Sequence, residues 1–129
     1  MSTTLPQVRR VLESHPHIRQ ALVFGSVASG RARPDSDLDL AVEADHPLGA
    51  REKTRLIEAL AAATGRPVDL IDLKTASGPL LGQILRHGRR ILGSEDDHAE
   101  LMRRHLFDVE DFQPYVDRML RERRQAWIG

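Results

Sequence analysis

The run GSVASGRARPDSDLDL, directly after the apolar Ala21-Leu22-Val23-Phe24, constrains this chain more than any other stretch. Ala21–Phe24 reads as a short buried strand. Asp37–Val42 reads as a second, with Leu38, Leu40 and Val42 on one face and Asp37, Asp39 and Ala41 on the other. Between them, Gly25 to Asp35 is a loop marked by two glycines and Pro34, within which residues 26–31 have room for one helical turn. The chain must leave one strand, turn at Gly25-Ser26, and return on a strand that holds two carboxylates on one side.

Each part has a plain reading and a chemical one. Taken alone, Gly-Ser is a strand-to-helix turn with a capping serine. It is also a place where phosphate oxygens can approach the main chain, because glycine has no Cβ and the first N–H groups of a helical turn are unpaired. An isolated Asp-x-Asp is a solvated strand face. Held together on one face, however, two carboxylates repel unless something neutralises them, and Mg²⁺ does so with oxygen ligands, often completed by substrate phosphates. A third strand, VDLIDL over residues 68–73, adds Asp69 and Asp72, which face opposite ways because they are three apart. Asp69 lies within an apolar strand and needs a partner, either an arginine or a metal shared with Asp37 and Asp39. Asp72 is expected to cap the turn at the strand end.

The remaining pattern is that of an α/β chain. Thr4–Ser14 has capping-box spacing at Thr4 and Gln7 and an apolar stripe of Leu5, Val8 and Leu12. Residues 50–64 form an amphipathic helix with Leu56, Ile57, Leu60 and Ala63 inward and Gly65 as its stop. Residues 77–87 form another, ended by Gly88, and residues 90–92 a short strand. From Glu95 onward the pattern is helical, interrupted near Pro114 and continued by Val116, Met119 and Leu120 toward Trp127 and Ile128. The expected architecture is a small mixed β-sheet with helices packed on one side and a helical C-terminal extension. It makes one domain over residues 1–129, with a core of about 5–92 and an extension of about 93–129.

Composition excludes several chemistries. There is no cysteine among the 129 residues, so disulfides, thiolate catalysis and Cys-based zinc sites are ruled out. Nineteen basic residues balance nineteen acidic ones, which gives no case for direct nucleic-acid binding. The start, MSTTLPQVRR, lacks a signal-peptide core and no apolar run approaches membrane-spanning length, so a cytoplasmic location and no membrane contact are expected. The six histidines form no metal spacing such as HExxH and read as surface residues.

The stretch from Gly25 to Asp39 resembles the GSX10DXD pattern of the DNA polymerase beta-like nucleotidyltransferase superfamily. The small size and VDLIDL resemble its minimal nucleotidyltransferase (MNT) branch. The resemblance implies the nucleotidyltransferase fold, with Gly25 and Ser26 holding the nucleotide triphosphate and with Asp37, Asp39 and Asp69 as metal-binding and catalytic acids. It implies Mg²⁺ as cofactor, two ions, and ATP as substrate. Many MNT proteins read GSRARG at the loop, whereas this chain reads GSVASG. Ser29 stands where the arginine usually is, and Arg31 or Arg33 is the candidate to replace it.

The MNT resemblance further implies an antitoxin paired with a HEPN-family ribonuclease toxin, transferring AMP to a toxin tyrosine to block RNA cleavage. Two alternatives stay open on sequence. One is nucleotidylation of a small molecule such as an aminoglycoside. The other is a non-catalytic antitoxin that neutralises the toxin by binding. Arg10 and His15 share the R-x4-H spacing of HEPN ribonucleases, but those are all-helical and this chain carries strand patterns, so the match is accidental. Tyr115, the only tyrosine, reads as a packing residue.

Overall fold

The computed structural model describes residues 4–107. Tyr115 and the expected stripe from Val116 to Ile128 lie outside them. The elements in chain order are α1 (Thr4–Glu13), β1 (Ile18–Phe24), α2 (Gly25–Ser29), β2 (Leu38–Ala44), α3 (Ala50–Thr64), β3 (Val68–Asp72), α4 (Gly78–His87) and β4 (Arg89–Leu92). A further helix, α5, covers residues 95–107.

The four strands form one mixed sheet in the order β3-β2-β1-β4. β1 pairs antiparallel with β2 and with β4, while β2 and β3 are parallel. A parallel pair needs a long crossover, and α3 supplies it. Gly65 ends that helix in the left-handed region at φ 68°, with its N–H on the carbonyl of Ala61.

Strand alternation sends apolar side chains to both faces. On one face Ala21, Val23, Leu38, Leu40, Val42 and Leu70 meet Val8 and Leu12 of α1 and Leu56 and Leu60 of α3. On the other, Leu22 and Ala41 meet Leu81 and Ile84 of α4 and Leu101 of α5, with Ile71 alongside. The mixed sheet and the helical C-terminal part stand as expected. Helices on one side describe only α1 and α3, because both faces of β1 and β2 are apolar and each needs a cover. Leu38, Leu40, Ala41 and Val42 are all fully buried, as a central strand requires.

Asp72 fulfils its expected role at the end of β3. It is 92% buried and its carboxylate accepts the backbone N–H groups of Leu48 and Lys74, both at 2.9 Å. Two charge-assisted bonds offset the cost of placing that carboxylate in the interior. Among the described residues no helix is long and apolar enough to cross a membrane.

Candidate active site

β1 ends at Phe24, and the chain turns at once into α2 through Gly25 at φ 72°. That sign of φ strains any residue with a Cβ. Contact makes the demand stricter: a Cβ at Gly25 would lie 2.2 Å from Oδ2 of Asp39. The main chain of the Gly-Ser turn therefore passes directly against a carboxylate on the neighbouring strand. α2 closes at Gly30, also left-handed at φ 75°.

Register brings the acids together. Phe24 is paired with Asp39 across the antiparallel ladder, and Asp39 with Asp69 across the parallel one. Paired residues share a face, so Asp39 and Asp69 project to the same side of the sheet, the side of α4 and α5. Asp37, just before β2, joins them. Burial raises the pKa of Asp39, and the like charges of Asp69 and Asp37 push it further up. Asp37 and Asp69 are exposed and Asp39 half-buried. The sequence expectation that Asp69 needs a partner because it is buried is thus corrected: β3 is an edge strand and its face is open at that residue. What makes it a neighbour of Asp39 is the register.

Among the described residues no hydrogen bond or ion pair reaches these three carboxylates. All three offer only oxygen donors, and at Asp39 the like charges of Asp69 and Asp37 go uncompensated. A divalent cation of the Mg²⁺ type fits both facts.

Residues 6–97 match the polymerase beta nucleotidyltransferase family. The chain belongs to this family. Over 121 residues it is 31% identical to the protein adenylyltransferase MntA of Shewanella oneidensis, covering 94% of this chain and 81% of that relative. A solved toxin–antitoxin structure with AMP-PNP superposes with a TM-score of 0.71 at 26% identity, over 90% of this chain and 98% of that one. A complex of tri-AMPylated Shewanella oneidensis HEPN toxin with an MNT antitoxin shares the fold, with a TM-score of 0.67 at 24% identity, over 91% and 96% of the two chains.

Within this nucleotidyltransferase the segment between α2 and β2 has its own brace, which the sequence did not reveal. The guanidinium of Arg66 reaches across from the start of β3 and donates to the carbonyls of Arg33 at 2.5 Å and Ser36 at 3.0 Å. The N–H of Leu38 donates to the carbonyl of Pro67 at 2.8 Å. Together these bonds fix the approach of the chain to Asp37 and Asp39. Arg66 is thirty residues from the carbonyl of Ser36 in sequence, so no local spacing marks it.

Ser29 turns back on its own helix: its hydroxyl donates to the carbonyl of Ser26 at 3.2 Å. Arg31 and Arg33 are exposed, and among the described residues neither guanidinium has a hydrogen bond or ion pair. Both are therefore free cations within the segment between α2 and β2.

Proposed function

We propose that this nucleotidyltransferase is the antitoxin of a HEPN toxin pair and transfers AMP from ATP to a toxin tyrosine. The observation that carries the reading is the near whole-chain likeness to a protein adenylyltransferase, at 31% identity over 94% of the chain. The solved toxin–antitoxin neighbour with AMP-PNP supports it. The whole chain, 1–129, works as one domain in this reading, in the cytoplasm.

Gly25 and Ser26 hold the triphosphate, the glycine by letting its oxygens approach the main chain and the serine through its hydroxyl. Arg31 or Arg33 supplies the positive charge that an arginine at position 29 provides in relatives. Two Mg²⁺ ions, held by Asp37, Asp39 and Asp69, supply Lewis-acid stabilisation of the phosphoryl oxygens when bound. The tyrosine oxygen forms a bond to the α-phosphorus of ATP, the bond from that phosphorus to the bridging oxygen breaks, and pyrophosphate leaves. Asp69, exposed at the sheet edge, takes the phenolic proton in this reading. An AMP group on the toxin blocks RNA cleavage by bulk and by like-charge repulsion.

Intact-mass spectrometry of the partner toxin with this protein, Mg²⁺ and ATP tests the proposal. The expected result is added AMP, lost with Ser26→Ala plus Asp39→Asn and lost with a chelator. An unchanged toxin mass, with an aminoglycoside nucleotidylated instead, would replace the acceptor. An unchanged mass with the toxin still neutralised would make the protein a binding antitoxin.

A further inference from the structure

The opposite end of the β1–β2 pair carries a second cluster of metal-ligating side chains. His17 precedes β1, and Asp45 and His46 follow β2. Asp45 lies six positions beyond Asp39, which at strand rise is about 20 Å. The backbone N–H of Asp45 donates to the carbonyl of His17 at 2.9 Å, so the two segments are clamped where the ladder ends. One ligand atom from each of His17, Asp45 and His46 lies within 4.8 Å of the others. The expectation from sequence that the histidines form no metal spacing holds along the chain, but the fold overrides it: His17 and Asp45 are 28 residues apart.

The contacts already orient the ligand atoms toward one another. Nδ1 of His17 is 3.2 Å from Oδ2 of Asp45, and Nδ1 of His46 is 2.5 Å from Oδ1 of the same carboxylate. Nε2 of His46 meets Oε2 of Glu52 at 2.8 Å. Carboxylates only accept, so the contact with Glu52 favours a proton on Nε2 of His46. With Nε2–H on Glu52, Nδ1 is the nitrogen turned toward Asp45 and His17, which is the carboxylate–histidine–metal arrangement that orients a ligand and raises its basicity. Glu52 is itself held: its other oxygen accepts the N–H of Gly49 at 3.3 Å in the first turn of α3.

Geometry is within reach. Tetrahedral Zn²⁺ with bonds of about 2.0–2.1 Å sets its ligand atoms roughly 3.3 Å apart. The His17–Asp45 pair is already near that value. The His46–Asp45 pair must open, and the two imidazoles must draw together. Side chains 40–67% exposed at the histidines and 39% at Asp45 can make those rotations. A cavity of about 240 Å³ borders the cluster at His17 and Glu52.

We propose that His17, Asp45 and His46 form a transition-metal site of the Zn²⁺ class, with Glu52 as the orienting carboxylate and water in the fourth position. Two imidazoles with one carboxylate favour Zn²⁺ over Mg²⁺. The ion would tie the start of β1 and the end of β2 to the first turn of α3, at the end of the β1–β2 pair remote from the nucleotide site.

The test measures Zn²⁺ uptake by the full chain against a chromogenic chelator, with Mg²⁺ in excess and Asp37→Asn/Asp39→Asn in the background so that the nucleotide site does not contribute. One equivalent of tight Zn²⁺ is expected, with a rise in melting temperature on binding. Co²⁺ should give the intense visible bands of a four-coordinate ion. His17→Ala/His46→Ala should weaken uptake at least about tenfold and abolish the thermal shift, and Glu52→Gln should weaken it roughly 10–100-fold with the fold intact by circular dichroism. Uptake unchanged in the double histidine variant overturns the assignment. So does stoichiometric Zn²⁺ that disappears when Asp37 and Asp39 are replaced, or no stoichiometric uptake at all.

Discussion

Gly25→Ala separates the two demands that the site places on one residue. At φ 72° an alanine sits in the left-handed region, at a cost of about 1–2 kcal/mol. Its Cβ would also lie 2.2 Å from Oδ2 of Asp39, so that oxygen must retreat by about 1.2 Å to reach ordinary contact at 3.4 Å. A misplacement of about 1 Å at a reacting centre can cost on the order of 100-fold in rate. Gly30→Ala is the matched control: its φ is 75°, and nothing lies within 4 Å of the added Cβ. Both variants should lose about 1–2 kcal/mol in denaturant titration, whereas AMP transfer per folded molecule should fall about 100-fold in Gly25→Ala and by less than about threefold in Gly30→Ala. Equal activity losses in the two would mean that backbone strain, not the carboxylate contact, governs the site. Full activity in Gly25→Ala would remove Asp39 from the chemistry or show that its side chain moves freely.

Asp39→Asn should stabilise the metal-free protein while destroying transfer. The fold disfavours the charged form of Asp39, through burial and through Asp69 and Asp37, so the neutral amide relieves a cost. Solvent screening keeps the gain to no more than about 1 kcal/mol, read as a small rise in melting temperature without metal, while transfer falls at least about 100-fold. A lower melting temperature would mean that Asp39 has a stabilising partner and is not strained. Arg66→Met should loosen the loop that leads into Asp37 by removing its bonds to Arg33 and Ser36, at about 1–2 kcal/mol. Trypsin should then cut after Arg31 faster than in the parent. An unchanged cutting rate would show that the loop holds its shape without Arg66.

What could be read from the sequence was what is local. α3 spans Ala50–Thr64, as its amphipathic period and flanking Gly49 and Gly65 indicate. β1, in contrast, starts at Ile18 rather than Ala21. The apolar run is broken by Arg19 and by Gln20, yet Gln20 is fully buried, donating to Glu43 and to the carbonyl of Asp97, each at 3.0 Å. A polar residue whose amide N–H groups find their acceptors 23 and 77 positions away gives no strand signal. The Gly25-Ser26 turn and the Asp37/Asp39 pair were legible because each is set by adjacent residues. The exposure of Asp69 was not, because it follows from β3 being an edge strand, and strand order is a property of the whole sheet. The Arg66 brace and the His17–Asp45–His46 cluster were hidden for the same reason.

The core itself explains how the site tolerates its own repulsion. Phe24, Asp39 and Asp69 form one rung across β1, β2 and β3. A slip of one residue in β2 would turn Asp39 into the face occupied by Leu38 and Leu40, and would carry those leucines to the acid side. That slip is forbidden twice over, because Leu38, Leu40 and Val42 are packed under α1 and α3 while Ala41 is packed under α4 and α5. Apolar burial on both faces therefore fixes the register, and the register aims the two carboxylates at each other. Three unpaired acids cost the fold something wherever they meet, and a sheet covered on one side only would have an easier escape from them. The second helical layer is accordingly part of what keeps the acids in place.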